Sequence, residues 1–268
     1  MAVPGSQGGR LRRIVPLTAC LLSLTLLVLG CKMSLSPVKN RIGIGVEPYV
    51  IFDGDGEDGR GDLYAASTSG GSTFRLTFSR AHESNPALSP NGAMLAFIRG
   101  PLAADSSSHR VWIMNLLNGS ERELPAINPR QVAWSRDGST LFVTTPAGVF
   151  ATPAPPVAPA LTLLSGSEAA AADSALAVQL GDPVIAIVEP CHGPSGLCAS
   201  GDGAEPQRIT DRGRAAFRWG ADSVGYFVED VVEVRPLGGG TTRQVRWANM
   251  PPHPRTATHF PGRLPSMP

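Results

Sequence analysis

A run of acidic residues and glycines at positions 53–59, with the sequence DGDGEDG, is the part of this chain most typical of a metal-binding loop. Closely spaced carboxylates suit Ca²⁺, which is bound by oxygen ligands. An EF-hand loop, however, needs glycine and a bidentate glutamate where this chain has Asp58 and Tyr64. We therefore expect an ordinary surface turn between two strands, with no metal ligand set, and weak adventitious Ca²⁺ binding is the alternative.

The sequence also contains no convincing motif for cofactor binding or for nucleophilic catalysis. The spacing Gly54-x-Gly56-x-x-Gly59 fits a dinucleotide-binding loop, but its carboxylates would repel a pyrophosphate and no βαβ pattern surrounds it. The chain contains no Gly-x-Ser-x-Gly, no His-Glu-x-x-His and no phosphate loop. Two isolated polar pairs, at 82–83 and 191–192, are expected to be solvated loop residues. We therefore predict no cofactor, no catalytic residue and no enzymatic activity.

The amino terminus has the three parts of an export signal. Three arginines at positions 10–13 precede an apolar core, Leu17 to Leu29, which is followed by Gly30 and Cys31. The core is shorter than the roughly 20 apolar residues that a permanent transmembrane helix needs. A cysteine directly after a small residue at this place resembles the signal peptide of bacterial lipoproteins.

That resemblance implies cleavage before Cys31 and attachment of a diacylglyceryl group to its thiol, followed by acylation of the new amino terminus. Cys31 would then be the first residue of the mature protein and its membrane anchor. The alternatives are an ordinary secretory signal with an incidental cysteine, or an uncleaved anchor.

Two further cysteines, Cys191 and Cys198, remain after Cys20 leaves with the signal peptide and Cys31 is lipidated. They are separated by six residues in a segment rich in Gly and Pro. Outside the cytoplasm such a pair predicts a disulfide bond that closes a small loop, and two buried reduced thiols are the alternative.

The charge of the mature chain argues against a nucleic-acid partner. After Gly30 the sequence holds 20 basic and 22 acidic residues, whereas nucleic-acid binding depends on clustered cations. The 30 glycines and 25 prolines favour short strands separated by turns.

A repeated pattern indicates how those strands are organised. An apolar residue, a turn and a second apolar run occur as LSPNG with LAF, as WSRDG with LFV, and as WGADS with YFV, with a degraded copy at 170–178. The turn residues Asn91, Asp137, Asp173 and Asp222 are 46, 36 and 49 positions apart. This average of about 44 is typical of four-stranded propeller blades.

Each repeat supplies a hairpin, a third strand and a short outer strand, and a sheet with two apolar faces must stack against neighbours. The sequence thus predicts an all-β chain, a β-propeller of about five four-stranded blades. Trp134 and Trp219, at equivalent positions of the repeat, are expected to lie between neighbouring sheets. The innermost strand of the first blade could come from Asn40 to Gly45 or from Arg255 to Phe260. The predicted organisation is a signal peptide at 1–30, a lipidated tether at 31–40, a propeller at 41–260 with blades at 41–79, 86–125, 130–164, 168–210 and 214–247, and a C-terminal coil at 261–268.

The segment 85–97, the strand 111–115 and the turn before Glu121 are similar to the WD40-like propeller repeat of the TolB family. Residues 62–64 and the run 70–77 resemble the second half of the same repeat. The resemblance covers most of residues 47–247 and implies a propeller. Unlike TolB, which is soluble in the periplasm, this chain is expected to be lipidated.

These features together predict a membrane-anchored lipoprotein of the bacterial cell envelope, whose propeller is a non-enzymatic scaffold for an envelope protein or peptide. Lys32, in place of the aspartate that retains some lipoproteins in the inner membrane, favours the periplasmic face of the outer membrane. A glycan-binding or glycan-cleaving propeller is the alternative. An enzyme of that kind should place several carboxylates at the mouth of the central channel.

Overall fold

A computed structural model describes the chain over residues 1–2, 37–38, 41–102, 108–125, 128–135, 137–155, 160–164, 185–188, 197–201, 207–220 and 222–262. Residues 3–30 of the predicted signal peptide, Cys31, Cys191, the turn residue Asp173 and the tail 263–268 lie outside these residues.

Strands dominate the described residues and are short, as the content of glycine and proline predicts. In chain order they are β1 (Tyr49–Asp55), β2 (Gly61–Ser67), β3 (Gly71–Ser72), β4 (Phe74–Arg75), β5 (His82–Leu88), β6 (Met94–Gly100), β7 (Arg110–Asn115), β8 (Glu121–Leu124), β9 (Gln131–Trp134), β10 (Thr140–Thr145), β11 (Gly148–Pro153), β12 (Thr162–Leu163), β13 (Ile185–Val188), β14 (Leu197–Gly201), β15 (Gln207–Thr210), β16 (Arg214–Trp219), β17 (Ser223–Val228), β18 (Val231–Pro236), β19 (Arg243–Ala248) and β20 (Ala257–Phe260).

The described strands form five sheets that follow one another along the chain, as the blades of a propeller do. The second blade has the order β5-β6-β7-β8 and the third β9-β10-β11-β12. The fourth contains β13-β14-β15, and the fifth has β16-β17-β18-β19 with β3 added at its outer edge. The first blade has the order β20-β1-β2-β4, so its innermost strand comes from the C-terminal end of the chain.

This order decides between the two sources of the first inner strand. Tyr49 of β1 pairs with Phe260, and Phe52 pairs with Ala257, in antiparallel register. Residues 41–45, the described part of the other segment, take no part in the sheet. Because the last strand completes the first blade, the two ends of the propeller are joined by a strand pair.

The hairpin turns of the second and third blades have the same local hydrogen bonds. Asn91 Oδ1 accepts from Ser89 Oγ at 2.7 Å, and Asp137 Oδ1 accepts from Ser135 Oγ at 2.6 Å. Gly92 and Gly138 follow with φ of 69° and 73°, a left-handed conformation that favours glycine. These turns form through contacts a few residues apart, which is why the repeat was visible in the sequence.

The fifth blade departs from that repeat. Leu88 pairs with Leu95 and Trp134 with Leu141, but Trp219 pairs with Ser223, across a turn three residues shorter. A change of register by an odd number of residues moves a side chain to the other face of the sheet. Both tryptophans lie between neighbouring sheets, as predicted. Trp134, however, packs toward the preceding blade and Trp219 toward the following one, so their equivalence in the repeat is wrong.

Apolar clusters fill the spaces between blades. Tyr49, Ile51 and Leu63 of the first blade pack with Leu95 and Phe97 of the second. Other clusters join the second blade to the third, the fourth to the fifth, and the fifth to the first. The prediction of an all-β propeller is confirmed, and burial between sheets explains why no blade needs a core of its own.

Candidate functional site

The structure describes one of the three cysteines singled out from the sequence. Cys198 lies on β14 and is fully buried. Because Cys31 and Cys191 lie outside the described residues, lipidation and the disulfide bond stay predictions.

The acidic segment 53–59 is a surface turn only in part. Asp53, Gly54 and Asp55 belong to β1, and the turn to β2 begins at Gly56. Asp53 is fully buried. The expectation of an ordinary surface turn is therefore wrong for Asp53 and Asp55.

Asp53 holds the chain that leads into β20. Its Oδ1 atom accepts hydrogen bonds from the backbone N of Arg255 at 3.2 Å and from the N and Oγ1 of Thr256 at 2.5 and 2.9 Å. Burial raises the pKa of this carboxyl, although the bonds from Thr256 and Arg255 oppose the rise. One buried oxygen thus organises the start of the strand that closes the ring.

The next two residues complete this contact. A side chain on Gly54 would place its Cβ 2.7 Å from Pro251 Cγ, so only glycine lets the two segments approach. Asp55 N donates to Pro252 O at 2.9 Å, and its carboxylate pairs with His253 Nδ1 at 3.0 Å and Arg255 at 2.6 Å. Positions 53–55 are therefore a docking site for the segment 251–256, which we name the closing segment.

Glu83, at the start of β5, is a second fully buried carboxylate at this end of the blades, so the expectation of a solvated loop residue is wrong for it. It accepts from Thr77 Oγ1 at 2.9 Å, from Ser79 Oγ and from Arg99 Nε at 2.8 Å. Arg99 also binds Glu121 at 2.6 Å. All these partners lie within the first two blades, so Glu83 fixes the connection β4–β5 against the second blade.

Asp62, paired across β1–β2 with Gly54, is the third buried carboxylate. Its Oδ1 accepts from Arg75 at 2.7 Å, while Oδ2 is buried with no hydrogen-bond partner. Burial raises the pKa of Asp62 to about 6, and the Arg75 guanidinium opposes that rise.

Asn85 links three blades through its backbone and side chain. Its N donates to Thr256 Oγ1 at 3.2 Å, and its Nδ2 donates to Arg130 O at 3.1 Å. Asn85 has a φ of 51° and lies in an irregularity of β5 between Ser84 and Ala87. Such bulges re-aim the residues of a strand, and asparagine tolerates this backbone better than most residues. Sequence reasoning missed this residue, and the Asn-Pro pair at 85–86 was the available signal.

We name this end of the molecule the polar end: Asp53, Asp55, Asp62 and Glu83 with the closing segment. Among the described residues no group of three or more His, Cys, Asp or Glu side chains is arranged to hold a metal ion. The buried carboxylates bind backbone, hydroxyl or guanidinium groups of the protein itself. These bonds stabilise the ring, and the side chains of Asp53, Asp62 and Glu83 are not accessible from the surface.

The connections at the polar end expose large apolar side chains. Phe78, between β4 and β5, is 75% exposed, and Leu102, between β6 and β7, is 54% exposed. Both connections meet the ends of strands where Glu83 and Arg99 lie. This end thus combines an internally bonded base with exposed apolar side chains.

Strand order and closure define the class of protein as a β-propeller. Among solved structures, it is similar to TolB from Acinetobacter baumannii, with 12% identity over 78% of this chain and 55% of that one, and a TM-score of 0.40. A putative TolB from Agrobacterium tumefaciens matches 81% of this chain and 99% of that one, with 14% identity and a TM-score of 0.35. The β-propeller domain of the Trilobed protease from Pyrococcus furiosus matches 74% of this chain and 66% of that one, with 11% identity and a TM-score of 0.32.

The chain spans about half the length of the Acinetobacter TolB. No family model matches the sequence, and no curated protein matches it either. Within the described residues no helix is long and apolar enough to cross a membrane.

Proposed function

We propose that this protein is a lipid-anchored component of the bacterial cell envelope whose propeller binds a protein or peptide at the polar end. The anchor is Cys31, which follows an apolar core and a small residue as in lipoprotein precursors. The propeller would then be displayed from the periplasmic face of the outer membrane, tethered through residues 31–40.

The exposure of Phe78 at the polar end is the observation that carries the binding proposal. A phenylalanine 75% open to solvent leaves most of its apolar surface in water, and a partner that covered it would gain the free energy of burial. Leu102, in the neighbouring blade, is a second exposed apolar side chain at the same end.

The state of the acids supports a scaffold over a catalyst. A glycosidase needs an acid and a second carboxylate that both reach the sugar. Asp53, Asp62 and Glu83 are instead fully buried, and each accepts hydrogen bonds from other residues of the chain. Groups in that state hold the fold and are not placed to contact a substrate, and this favours the non-enzymatic function that we propose.

Site-specific photo-crosslinking in cells tests the binding surface. A photoreactive phenylalanine analogue at Phe78 is expected to give a discrete adduct with an envelope protein. The control places the same group at Val46, which is 62% exposed and precedes β1 at the opposite end of the blade. Equal adducts at both positions, or none at Phe78, would contradict the proposal.

The anchor is tested separately by Cys31→Ala. Metabolic labelling with a clickable fatty acid should mark the wild-type protein and leave the variant unlabelled, and the variant should leave the membrane fraction or remain as uncut precursor. Equal labelling of the two proteins would exclude Cys31 as the lipidated residue.

A further inference from the structure

Exposed arginines stand at the beginnings of four inner strands of this propeller. Each lies within two residues of the first residue of β5, β9, β16 or β20. We name this set the arginine mouth: Arg80, Arg130, Arg212, Arg214 and Arg255, all exposed.

Hydrogen bonds show that three of these strands begin at the same end of the ring. Asn85 of β5 donates its backbone N to Thr256, which follows Arg255, and its side-chain Nδ2 to the carbonyl of Arg130. Leu88 N, three residues further along β5, donates to Thr258 Oγ1, so β5 and β20 run in the same direction.

The strand β16 has this direction too. Its last residue, Trp219, stacks on His259 near the end of β20, with ring centroids 4.8 Å apart. The first residue of β16, Arg214, therefore lies at the end where β20 begins. The arginines accordingly surround one mouth of the propeller axis.

Most of these guanidinium groups have no carboxylate partner among the residues that the structure describes. Within the described residues Arg80, Arg130, Arg212 and Arg214 form no ion pair, while Arg255 is paired with Asp55 at 2.6 Å. Glu83 at this end is buried, and Glu229 and Asp230 lie on the outer turn between the second and third strands of the fifth blade. Two other acids lie at the mouth itself: Asp55 pairs with Arg255, and Asp211, beside Arg212, pairs with Arg208 outside the set.

Two further observations point to an anionic ligand. The mature chain carries 20 basic and 22 acidic residues, so a cationic mouth stands out from a slightly acidic molecule and would steer anions toward it. The pKa of His82 is lowered by burial and then by the charges of Arg255 and His109, as expected in a cationic neighbourhood, although Glu83 and Asp55 oppose this.

We propose that the arginine mouth binds an acidic protein segment, whose Asp and Glu carboxylates pair with these guanidinium groups while an apolar residue covers Phe78. This rests on the proposed binding function and names the chemistry of the partner. The planar guanidinium binds a carboxylate through two parallel hydrogen bonds. Arginines therefore suit the discrete carboxylates of a peptide better than a ligand whose negative charge is spread out. Phe78 lies two residues from Arg80 in the same connection, so one extended segment could meet both.

Fluorescence anisotropy with a defined peptide probe tests this on the mature protein. The probe is a labelled peptide of alternating Glu and Phe, and its control has Gln in place of each Glu. Binding is measured at about 10 mM and about 150 mM salt, where the Debye screening length differs about fourfold. The test variant is Arg80→Gln/Arg130→Gln, and the matched control is Arg41→Gln/Arg246→Gln, two exposed arginines outside the mouth.

The acidic probe should bind wild type and the Arg41/Arg246 control equally, bind about tenfold more weakly to the test variant, and weaken with salt. The Gln probe should not bind. Equal affinity of wild type and test variant for the acidic probe would overturn the inference. The inference would also be overturned if the acidic probe does not bind while anionic lipid vesicles bind in a way that depends on Arg80 and Arg130.

The result is separable from the proposed function. One outcome is that crosslinking at Phe78 gives the same adduct in the test variant as in wild type. The partner then binds without help from Arg80 and Arg130, and only the inference that it is acidic is wrong. If no adduct forms in wild type, the proposed binding function itself fails.

Discussion

At the scale of single residues, buried tryptophans do more than fill space between blades. Trp134 lies between the second and third blades and donates its Nε1 to Ala87 O at 3.0 Å. Trp247, on the outer strand of the fifth blade, donates to Ser67 O of the first blade at 2.7 Å. Each indole therefore joins neighbouring sheets by both packing and a directed bond.

Replacing Trp134 with alanine is expected to lower the free energy of unfolding by about 3 to 5 kcal/mol, because apolar contacts are lost and a cavity remains. Trp134→Phe keeps most of the packing and loses the bond to Ala87, so its cost should be nearer 1 kcal/mol. Urea denaturation of both variants measures the difference. A midpoint of Trp134→Ala within error of wild type would show that the indole does not hold the blades together.

At the scale of elements, β20 is the strand on which the ring depends. One face carries Phe260, which packs against Tyr49 with ring centroids 5.4 Å apart, and the other carries His259 on Trp219. The same four residues thus contact both clusters that flank the first blade.

Gly54→Ala should disturb this closure. The new Cβ would lie 2.7 Å from Pro251 Cγ and 3.3 Å from Pro252 O, so the closing segment must move away from β1. We expect a loss of about 1 to 3 kcal/mol in chemical denaturation. Gly238→Ala is the matched control, since a Cβ there meets open space, and it should change stability by less than about 0.5 kcal/mol. Equal effects of the two changes would contradict the docking of 251–256 on β1.

His259 should make closure of the ring depend on pH. Burial, together with the charges of Arg243 and Arg218, lowers the pKa of His259 to about 4. Its ring accepts a hydrogen bond from Gly220 N at 3.2 Å. Between about pH 6.5 and 4 the unfolded chain binds a proton that the folded chain rejects. Stability from this group is therefore complete above pH 6.5 and is lost as the pH falls toward 4.

The opposite sign belongs to Asp62, whose pKa of about 6 makes the folded chain the better proton acceptor between about pH 4 and 6. The effect of His259 is therefore measured as a difference from His259→Asn, which can still accept from Gly220 but does not titrate. From pH 7 to pH 4.5 the wild type should lose about 2 to 3 kcal/mol relative to this variant. If the stability of the two proteins changes with pH in the same way, His259 has the same pKa in the folded and the unfolded chain, and the prediction is wrong.

At the scale of the whole molecule, the first and fifth blades are joined twice. The inner joint is β20 on β1, and the outer joint is β3 of the β2–β4 connection, which pairs in parallel with β19. Thr73 N, next to β3, donates to Ala248 O at 2.9 Å. The outer joint holds the blades in place while the inner one completes the first sheet.

A chain that ends at Met250 lacks the closing segment and β20. Tyr49 and Trp219 would lose their partners Phe260 and His259, and β1 would become an open edge. We expect such a chain to aggregate or to be cut rapidly in limited proteolysis, whereas a control ending at Gly262 keeps β20 and should behave as wild type. Equal resistance of both chains to protease would mean that β20 is dispensable.

The parts of this structure that could be predicted are those held by neighbours in the sequence. The turns at Asn91 and Asp137 form through bonds between residues two to five apart, so their sequence alone specifies them. The same local rule failed at Trp219, where a turn three residues shorter moved the indole to the other face of the sheet. The length of that turn depends on a register that no single residue specifies.

Residues 53–55 show the other limit of the sequence. Alternation and turn residues determined a chain of stacked four-stranded sheets, because each repeat has two apolar faces that must be covered. Whether 40–45 or 255–260 completed the first sheet could not be decided locally, since both segments satisfied the same pattern. The tertiary structure decided it by bringing Thr256 to Asp53, 203 residues away, where one buried oxygen, one glycine and a second carboxylate receive the closing segment. Judged from its neighbours in the sequence, an aspartate among glycines predicts a turn. Only the contact with residues 251–256, far away in the sequence, makes positions 53–55 the site where the ring is closed.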